Sequence, residues 1–248
     1  KTRDLRVGTV LWSRYEIMAV LGSSELGELW RCRDRETGQD VSLRWLPPDL
    51  RRSKPVIAVI HAGIRRISDQ THPNLAAIRQ IVYVGDQIYL VGDFAPGMDI
   101  GTWAQMGAGG KRTLEETLPV LRQVAEALDF AHRKRIIHRN LKPSNIFFGP
   151  DEVVRVTDFG LAPHHRLTIV HGEAVRAGTT GAYLAPELKK GEDPDSASDQ
   201  YALAMLAWEL LTGKAPEEDE ALPAELPPAA RAALARALSK KPRNRFVN

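Results

Sequence analysis

The chain has 248 residues, with 34 Lys and Arg against 31 Asp and Glu for a net charge of +3, and is 43% apolar and 26% charged. That mixture excludes a disordered chain, and no window approaches the roughly 18 to 20 uninterrupted apolar residues of a membrane-spanning helix. The small basic excess mostly alternates with acids, so its field is too weak to argue for nucleic acid. Cys32 is the only cysteine. An internal disulfide and a cysteine-built metal site are therefore excluded, and a reducing compartment is expected. The sequence opens at Lys1 without a charged-then-apolar leader. The expectation is a cytoplasmic piece of a longer protein, with a membrane tether, if there is one, in parts outside this chain.

Up to about residue 97 the chain reads as short strands. Residues 15–21, 28–33, 40–46, 78–84 and 87–94 are rich in β-branched and aromatic residues, and Thr37-Gly38 and Gly85-Asp86 supply turns between them. One helix interrupts the strands: Pro55 suits a helix start, and Val56, Ile57, Ile60, Ile64 and Ile67 recur every three to four residues. Gly63 in its middle costs about 1 kcal/mol relative to Ala, so a weak or movable helix is expected. Residues 51–68 hold Arg51, Arg52, Lys54, Arg65 and Arg66 and no acid. A solvated face is the simplest reading, and an anionic-partner surface is the alternative.

Beyond residue 98 the period becomes helical. Residues 114–132 place Leu118, Leu121, Val124, Ala125 and Leu128 on one stripe, residues 198–211 are apolar nearly all round, and residues 228–238 are rich in Ala and Leu. Pro96-Gly97 marks the change of composition, which gives lobes at 1–97 and 98–248 of one α+β, two-lobed domain. The acidic run 217–220 reads as a solvated loop.

Three ordered motifs follow the long helix. They are His138-Arg139-Asn140-Leu141-Lys142-Pro143-Ser144-Asn145, then Asp158-Phe159-Gly160 a short hairpin later, then Ala185-Pro186-Glu187. In order and spacing they resemble the eukaryotic-type Ser/Thr protein kinases. The opening residues 8–17, Leu46-Pro47-Pro48-Asp49-Leu50, His72-Pro73-Asn74 and Asp199 are similar to the bacterial branch of that family. The resemblance covers essentially the whole chain and implies an antiparallel-sheet N-lobe with one helix and a mainly helical C-lobe. It also implies a scaffold pair between Glu187 and Arg245. Carried over residue by residue, it assigns nucleotide contacts to Gly22, Ser24, Gly27, Leu29, Ser42, Asp93 and Ala95. Metal binding falls to Asn145 and Asp158, and catalytic positions to Arg44, Asn140 and Lys142.

Several of these positions depart from the family pattern. Ser24 replaces the middle glycine of the phosphate loop and Glu25 stands at its tip, where a side chain and a carboxylate both oppose phosphate. Arg44 stands where the family has lysine, and a longer, planar cation is not a conservative swap there. Ser42 replaces a small apolar residue beside the purine. The helix position that would pair with Arg44 is Gly63, so the usual ion pair is absent, and Asp158 is the acid expected to receive Arg44. Asn140 stands at the base; an amide accepts no proton at neutral pH but can orient a hydroxyl. Gly92 occupies the gatekeeper position, and neighbours such as Ile67 are expected to close the space.

Between Gly160 and Ala185, His164, His165 and His171 lack the spacing of a metal site and read as loop residues. Thr168 or Thr180 would be candidates for phosphorylation by another enzyme, with Arg139 receiving the phosphate. The scaffold is kept while catalytic parts are changed. The expectation is therefore a pseudokinase: a regulatory, protein-docking module with no resident cofactor, whose unidentified protein partner meets the basic 51–68 helix. The alternatives are a weak Ser/Thr kinase, or a switch that binds ATP with Mg²⁺ or Mn²⁺ without reacting. A fold relative catalysing another transfer ranks below both.

Overall fold

The computed structural model describes residues 5–24, 26–161, 179–215 and 222–247. The chain divides into two compact units, residues 1–71 with 76–95 and residues 72–75 with 96–248.

The first unit is built on a six-stranded antiparallel sheet. Its strands are β1 (Val10–Leu11), β2 (Tyr15–Ser24), β3 (Gly27–Asp34), β4 (Asp40–Trp45), β5 (Ile78–Val84) and β6 (Gln87–Asp93), in the order β1-β2-β3-β4-β6-β5. Alternation decides its faces. Tyr15, Ile17, Trp30, Cys32, Leu43, Tyr89 and Val91 join Leu11 in one buried cluster. Burial pushes the Cys32 thiol up to about 12, so it packs as a small apolar residue. The five strands expected in this unit are all present, and the two-residue β1 is the one strand of its sheet that the sequence did not show.

Two helices join β4 to β5, α1 (Pro48–Arg52) and α2 (Lys54–Ile67). The predicted period is observed: Val56, Ile60, Ile64 and Ile67 are buried, and α2 lies against β5. Ser53 before α2 makes no side-chain cap bond. At its other end Arg79 on β5 donates to the carbonyls of Ser68 (2.6 Å) and Gln70 (2.8 Å) and also to the Asp93 carboxylate on β6.

The second unit holds α3 (Ile100–Gln105), α4 (Leu114–Arg133), α5 (Pro186–Lys189), α6 (Ser196–Thr212) and α7 (Pro228–Ala237). It also carries a small sheet of β7 (Met98–Asp99), β8 (Ile146–Phe148) and β9 (Val154–Val156). Helix α4 opens on a capping box between Thr113 and Glu116, and α6 on one between Asp195 and Ser198. Gly213 ends α6 at φ 81°, a left-handed cap that glycine adopts without strain. The buried face of α4 is Thr117, Val120, Val124, Ala127, Leu128 and Ala131. This corrects the expected stripe, since Leu118 is exposed on the other side. The apolar α6 is a core helix, packed against α4 and α7.

The scaffold pair is present. Arg245, fully buried, donates to both oxygens of Glu187 at 2.6 and 2.8 Å and to the carbonyls of Ala197 and Ser239. Ser198 Oγ donates to Glu187 as well, at 2.9 Å. Nearby, Tyr183 bonds Glu209 through its hydroxyl, and burial together with that carboxylate holds the phenol in its protonated form.

Candidate functional site

The first unit contributes the β2–β3 hairpin and β4. Gly27 sits at φ 104°, and a Cβ there would stand 1.9 Å from the Trp45 carbonyl, so the turn requires glycine. Gly22 also has positive φ, at 137°, in open space. Gly22 pairs with Leu29, and Leu29 in turn with Arg44. The guanidinium of Arg44 is buried, and its Nη1 donates to Ser24 Oγ at 3.1 Å. Ser24, which the sequence marks only as a lost glycine, therefore holds the cation that replaces the family lysine.

Ser42 lies opposite Gly92 across β4 and β6. A Cβ at Gly92 would stand 2.6 Å from the Ala77 carbonyl and 3.1 Å from Ile78 Cδ1. The space beside Gly92 is filled, but by the Ala77 carbonyl and Ile78 rather than by Ile67. The Asp93 carboxylate accepts from the Ala77 N–H (3.1 Å) and from Arg79 (2.6 and 2.8 Å). Its side chain is thus committed to the sheet, and a ligand beside buried Ala95 would meet backbone groups at this position.

The second unit contributes the loop after α4. Asp199 on α6, 1% exposed, accepts the backbone N–H of His138 (2.8 Å) and of Arg139 (2.9 Å), and bonds His132 Nε2 at 2.8 Å. His138 Nε2–H donates to the Thr157 carbonyl (2.9 Å), and its Nδ1 accepts the Asn140 N–H (3.3 Å). Burial lowers the pKa of this imidazole, which fits the neutral tautomer these bonds require. Its ring packs on Phe159, centroids 4.6 Å apart.

Asn145 Nδ2 donates to the Asn140 carbonyl at 2.8 Å, and the Asn145 carbonyl accepts the Thr157 N–H at 2.9 Å. These bonds hold Asn140, Asn145 and the residue before Asp158 in one hydrogen-bonded assembly. Lys142, Asn145 and Asp158 are all buried. Arg139 and Asp158 adopt φ of 70° and 63°, conformations that cost non-glycine residues about 1–3 kcal/mol and persist where surroundings over-determine them. An amide oxygen and a carboxylate are hard donors of the kind Mg²⁺ takes alongside substrate phosphates, so Asn145 and Asp158 fit that ion. No cluster of three or more His, Cys, Asp or Glu suited to a metal occurs among the described residues. His164, His165, His171, Thr168 and the 217–220 run lie outside the described residues, and so does the Thr180 side chain.

The basic 51–68 surface is smaller than its sequence suggests. Arg51 has a side chain only 8% exposed, turned inward onto Gln87, Asp86 and the Trp45 ring. Arg52, Lys54, Arg65 and Arg66 are exposed.

A strand-borne cation beside a glycine hairpin in one unit, and an Asp-anchored loop carrying Lys142, Asn145 and Asp158 in the other, define a protein-kinase type of catalytic scaffold. The chain belongs to the protein kinase family: residues 15–236 match the family described as the protein kinase domain. It is 29% identical to the Ser/Thr kinase PknA of Mycobacterium tuberculosis, over 97% of this chain and 60% of PknA. It is 31% identical to the Ser/Thr kinase Pkn1 of Myxococcus xanthus, over 100% of this chain and 38% of Pkn1. Against PrkC of Bacillus subtilis the figures are 30%, 86% and 33%. The chain thus spans 60% or less of these relatives. The crystal structure of the M. tuberculosis PknI kinase domain superimposes with a TM-score of 0.79 at 26% identity, covering 98% of this chain and 94% of that domain.

These findings overturn the reading of the chain as a docking module rather than an enzyme. The relatives that it matches across the domain are named Ser/Thr protein kinases, so the pseudokinase assignment and the degenerate nucleotide site are withdrawn. Family membership implies use of ATP with Mg²⁺ or Mn²⁺, against the expectation of no cofactor. Asn140, Arg44 and Gly63 are variations within a kinase family. In a reaction catalysed mostly by positioning and electrostatics, single side-chain changes of this kind do not by themselves remove the activity.

Proposed function

We propose that the chain is the catalytic domain of a Ser/Thr protein kinase, cytoplasmic in its setting, that transfers the γ-phosphoryl group of ATP to a protein hydroxyl at a modest rate. The observation that carries this reading is the loop assembly in which Asp199 holds the His138 and Arg139 amides and Asn145 holds Asn140. It pre-positions an acceptor-orienting group without needing that group to be a base.

In the reaction a bond forms between the acceptor oxygen and phosphorus as the bond from phosphorus to the β-phosphate oxygen breaks, and ADP leaves. Asn140 orients the hydroxyl by hydrogen bonding, and the hydroxyl proton passes to solvent or to the transferred group, since an amide cannot take it. Arg44, held by Ser24, and Lys142 supply positive charge toward phosphate oxygens. Mg²⁺ held by Asn145 and Asp158 would neutralise phosphate charge when bound. Gly22 and Gly27 let hairpin backbone approach phosphate, while Leu29, Ser42 and Ala95 border the base. No helix among the described residues is long and apolar enough to cross a membrane. A protein partner or substrate meeting the exposed cations Arg52, Lys54, Arg65 and Arg66 is part of this proposal.

The test is phosphotransfer from radiolabelled ATP, with Asn140→Asp alongside wild type. General-base help is worth about 10² to 10⁴ in rate, so Asn140→Asp should gain within that range over a measurable wild-type rate. Absence of transfer in both proteins, with ATP bound, would overturn the proposal.

A further inference from the structure

Arg44 and Ser42 are on one face of β4, and Leu43 and Trp45 are on the other. Beside that second face, wholly within the first unit, lies a cavity of about 440 Å³ whose walls include Trp12, Trp30, Trp45 and Tyr89. The size is that of a small-molecule site. Trp12 is fixed edge-on against Tyr89, centroids 4.9 Å apart, and against Tyr15 at 6.0 Å. The cavity is therefore walled by aromatic surface already held in place.

One end of the cavity is polar. Arg51 and Trp45 Nε1–H both donate to Gln87 Oε1, at 2.6 and 2.7 Å, and Arg51 also reaches Asp86 at 3.1 Å. The Arg51 side chain is 92% buried, whereas Asp86, its only acidic partner among the described residues, is 75% exposed. Water screens that carboxylate far more than it screens the guanidinium. Two of the five guanidinium N–H groups are used by these bonds, so donors remain for an anion. Glu28, exposed on the rim of the same cavity, opposes multiply charged ligands such as nucleotides.

We propose that this cavity binds a small, flat aromatic monocarboxylate, its rings among Trp12, Trp30 and Trp45 and its carboxylate on Arg51. A protein partner's aromatic side chain would fill the apolar part but carries no anion on its ring to meet Arg51. The site does not depend on the kinase reading: none of its lining residues is among those assigned to catalysis or nucleotide contact, although Glu28 lies between Gly27 and Leu29 and Trp45 follows Arg44.

The protein supplies its own probe, since three of its five tryptophans line the cavity. Titration with 2-naphthoate should quench tryptophan fluorescence saturably, and the neutral 2-naphthamide should bind at least about 10-fold more weakly, because a charge-assisted bond to Arg51 is lost. Arg51→Met should reduce naphthoate affinity by a similar factor, while Arg52→Met, next door and exposed, should not. Trp12→Ala, at the partly exposed wall, provides a second variant if Arg51→Met unfolds. Equal affinity for acid and amide, naphthoate affinity unchanged in both Arg51→Met and Trp12→Ala, or binding of aromatic peptides but not naphthoate, would each overturn the proposal.

Discussion

Replacing Glu187 by alanine would remove the carboxylate that faces a fully buried guanidinium. Arg245 would retain the carbonyls of Ala197 and Ser239 at 2.8 and 3.0 Å but no negative charge. A surface ion pair is worth about 0–1 kcal/mol, whereas breaking a buried one costs about 3–5 kcal/mol because the remaining charge stays desolvated. With Glu187 4% exposed and Arg245 0% exposed, the larger range applies. At roughly 2–4 °C per kcal/mol for a chain of this size, Tm should fall by about 6–20 °C. Calorimetry with urea titration measures it, and the double variant Glu187→Ala/Arg245→Met should recover much of the loss. A fall below about 1 kcal/mol for Glu187→Ala would refute the reasoning. The pair also has a pH signature. Burial alone would raise the Glu187 carboxyl, but the hydrogen bonds from Arg245, the backbone and Ser198 outweigh it and hold the group below its ordinary value of 4.5. A folded pKa below the unfolded one adds stability that is complete above the unfolded value and lost as pH falls through the folded value. Wild type should therefore lose stability below about pH 4.5 more steeply than Glu187→Ala.

Gly27→Ala should lower stability by at least about 2 kcal/mol, since positive φ strains alanine and its Cβ would overlap the Trp45 carbonyl; an unchanged urea midpoint would contradict this. Ser24→Ala should raise KM for ATP by about 3–10-fold with a smaller effect on kcat, because the hydroxyl orients Arg44 toward phosphate, and Ser24→Thr should restore it. Unchanged KM in Ser24→Ala would remove Ser24 from the site.

Strand and helix existence was legible because each element carries a clean period: alternation around Trp30, Cys32, Leu43 and Val91, and three-to-four spacing through Ile60, Ile64 and Ile67. The loop residues of the second unit were legible through motif order, and so was the Glu187–Arg245 pair. What escaped depends on packing that no local pattern encodes. Leu118 and Val120 look equally apolar, but only Val120 is buried. Arg51 reads as one more surface cation, yet Gln87, distant in sequence, and the Trp45 ring draw it inward. Ser24 reads as damage to a glycine loop, and only the β2–β3–β4 register brings it to Arg44. The two-residue strands β1 and β7 are too short to show any period.

The single-residue bridge from Arg79 to the Ser68 and Gln70 carbonyls and to Asp93 gives α2 an anchor at one end. Its other end begins at Lys54 without a side-chain cap, and Gly63 lies within its unbroken run. The last turn of α2 is thereby fastened to β5 and β6 through one side chain, while its first turns are held by the packing of Val56 and Ile60. Loss of the Arg79 guanidinium would therefore free the end of the helix and the Asp93 end of β6 together, two elements that no backbone bond among the described residues joins.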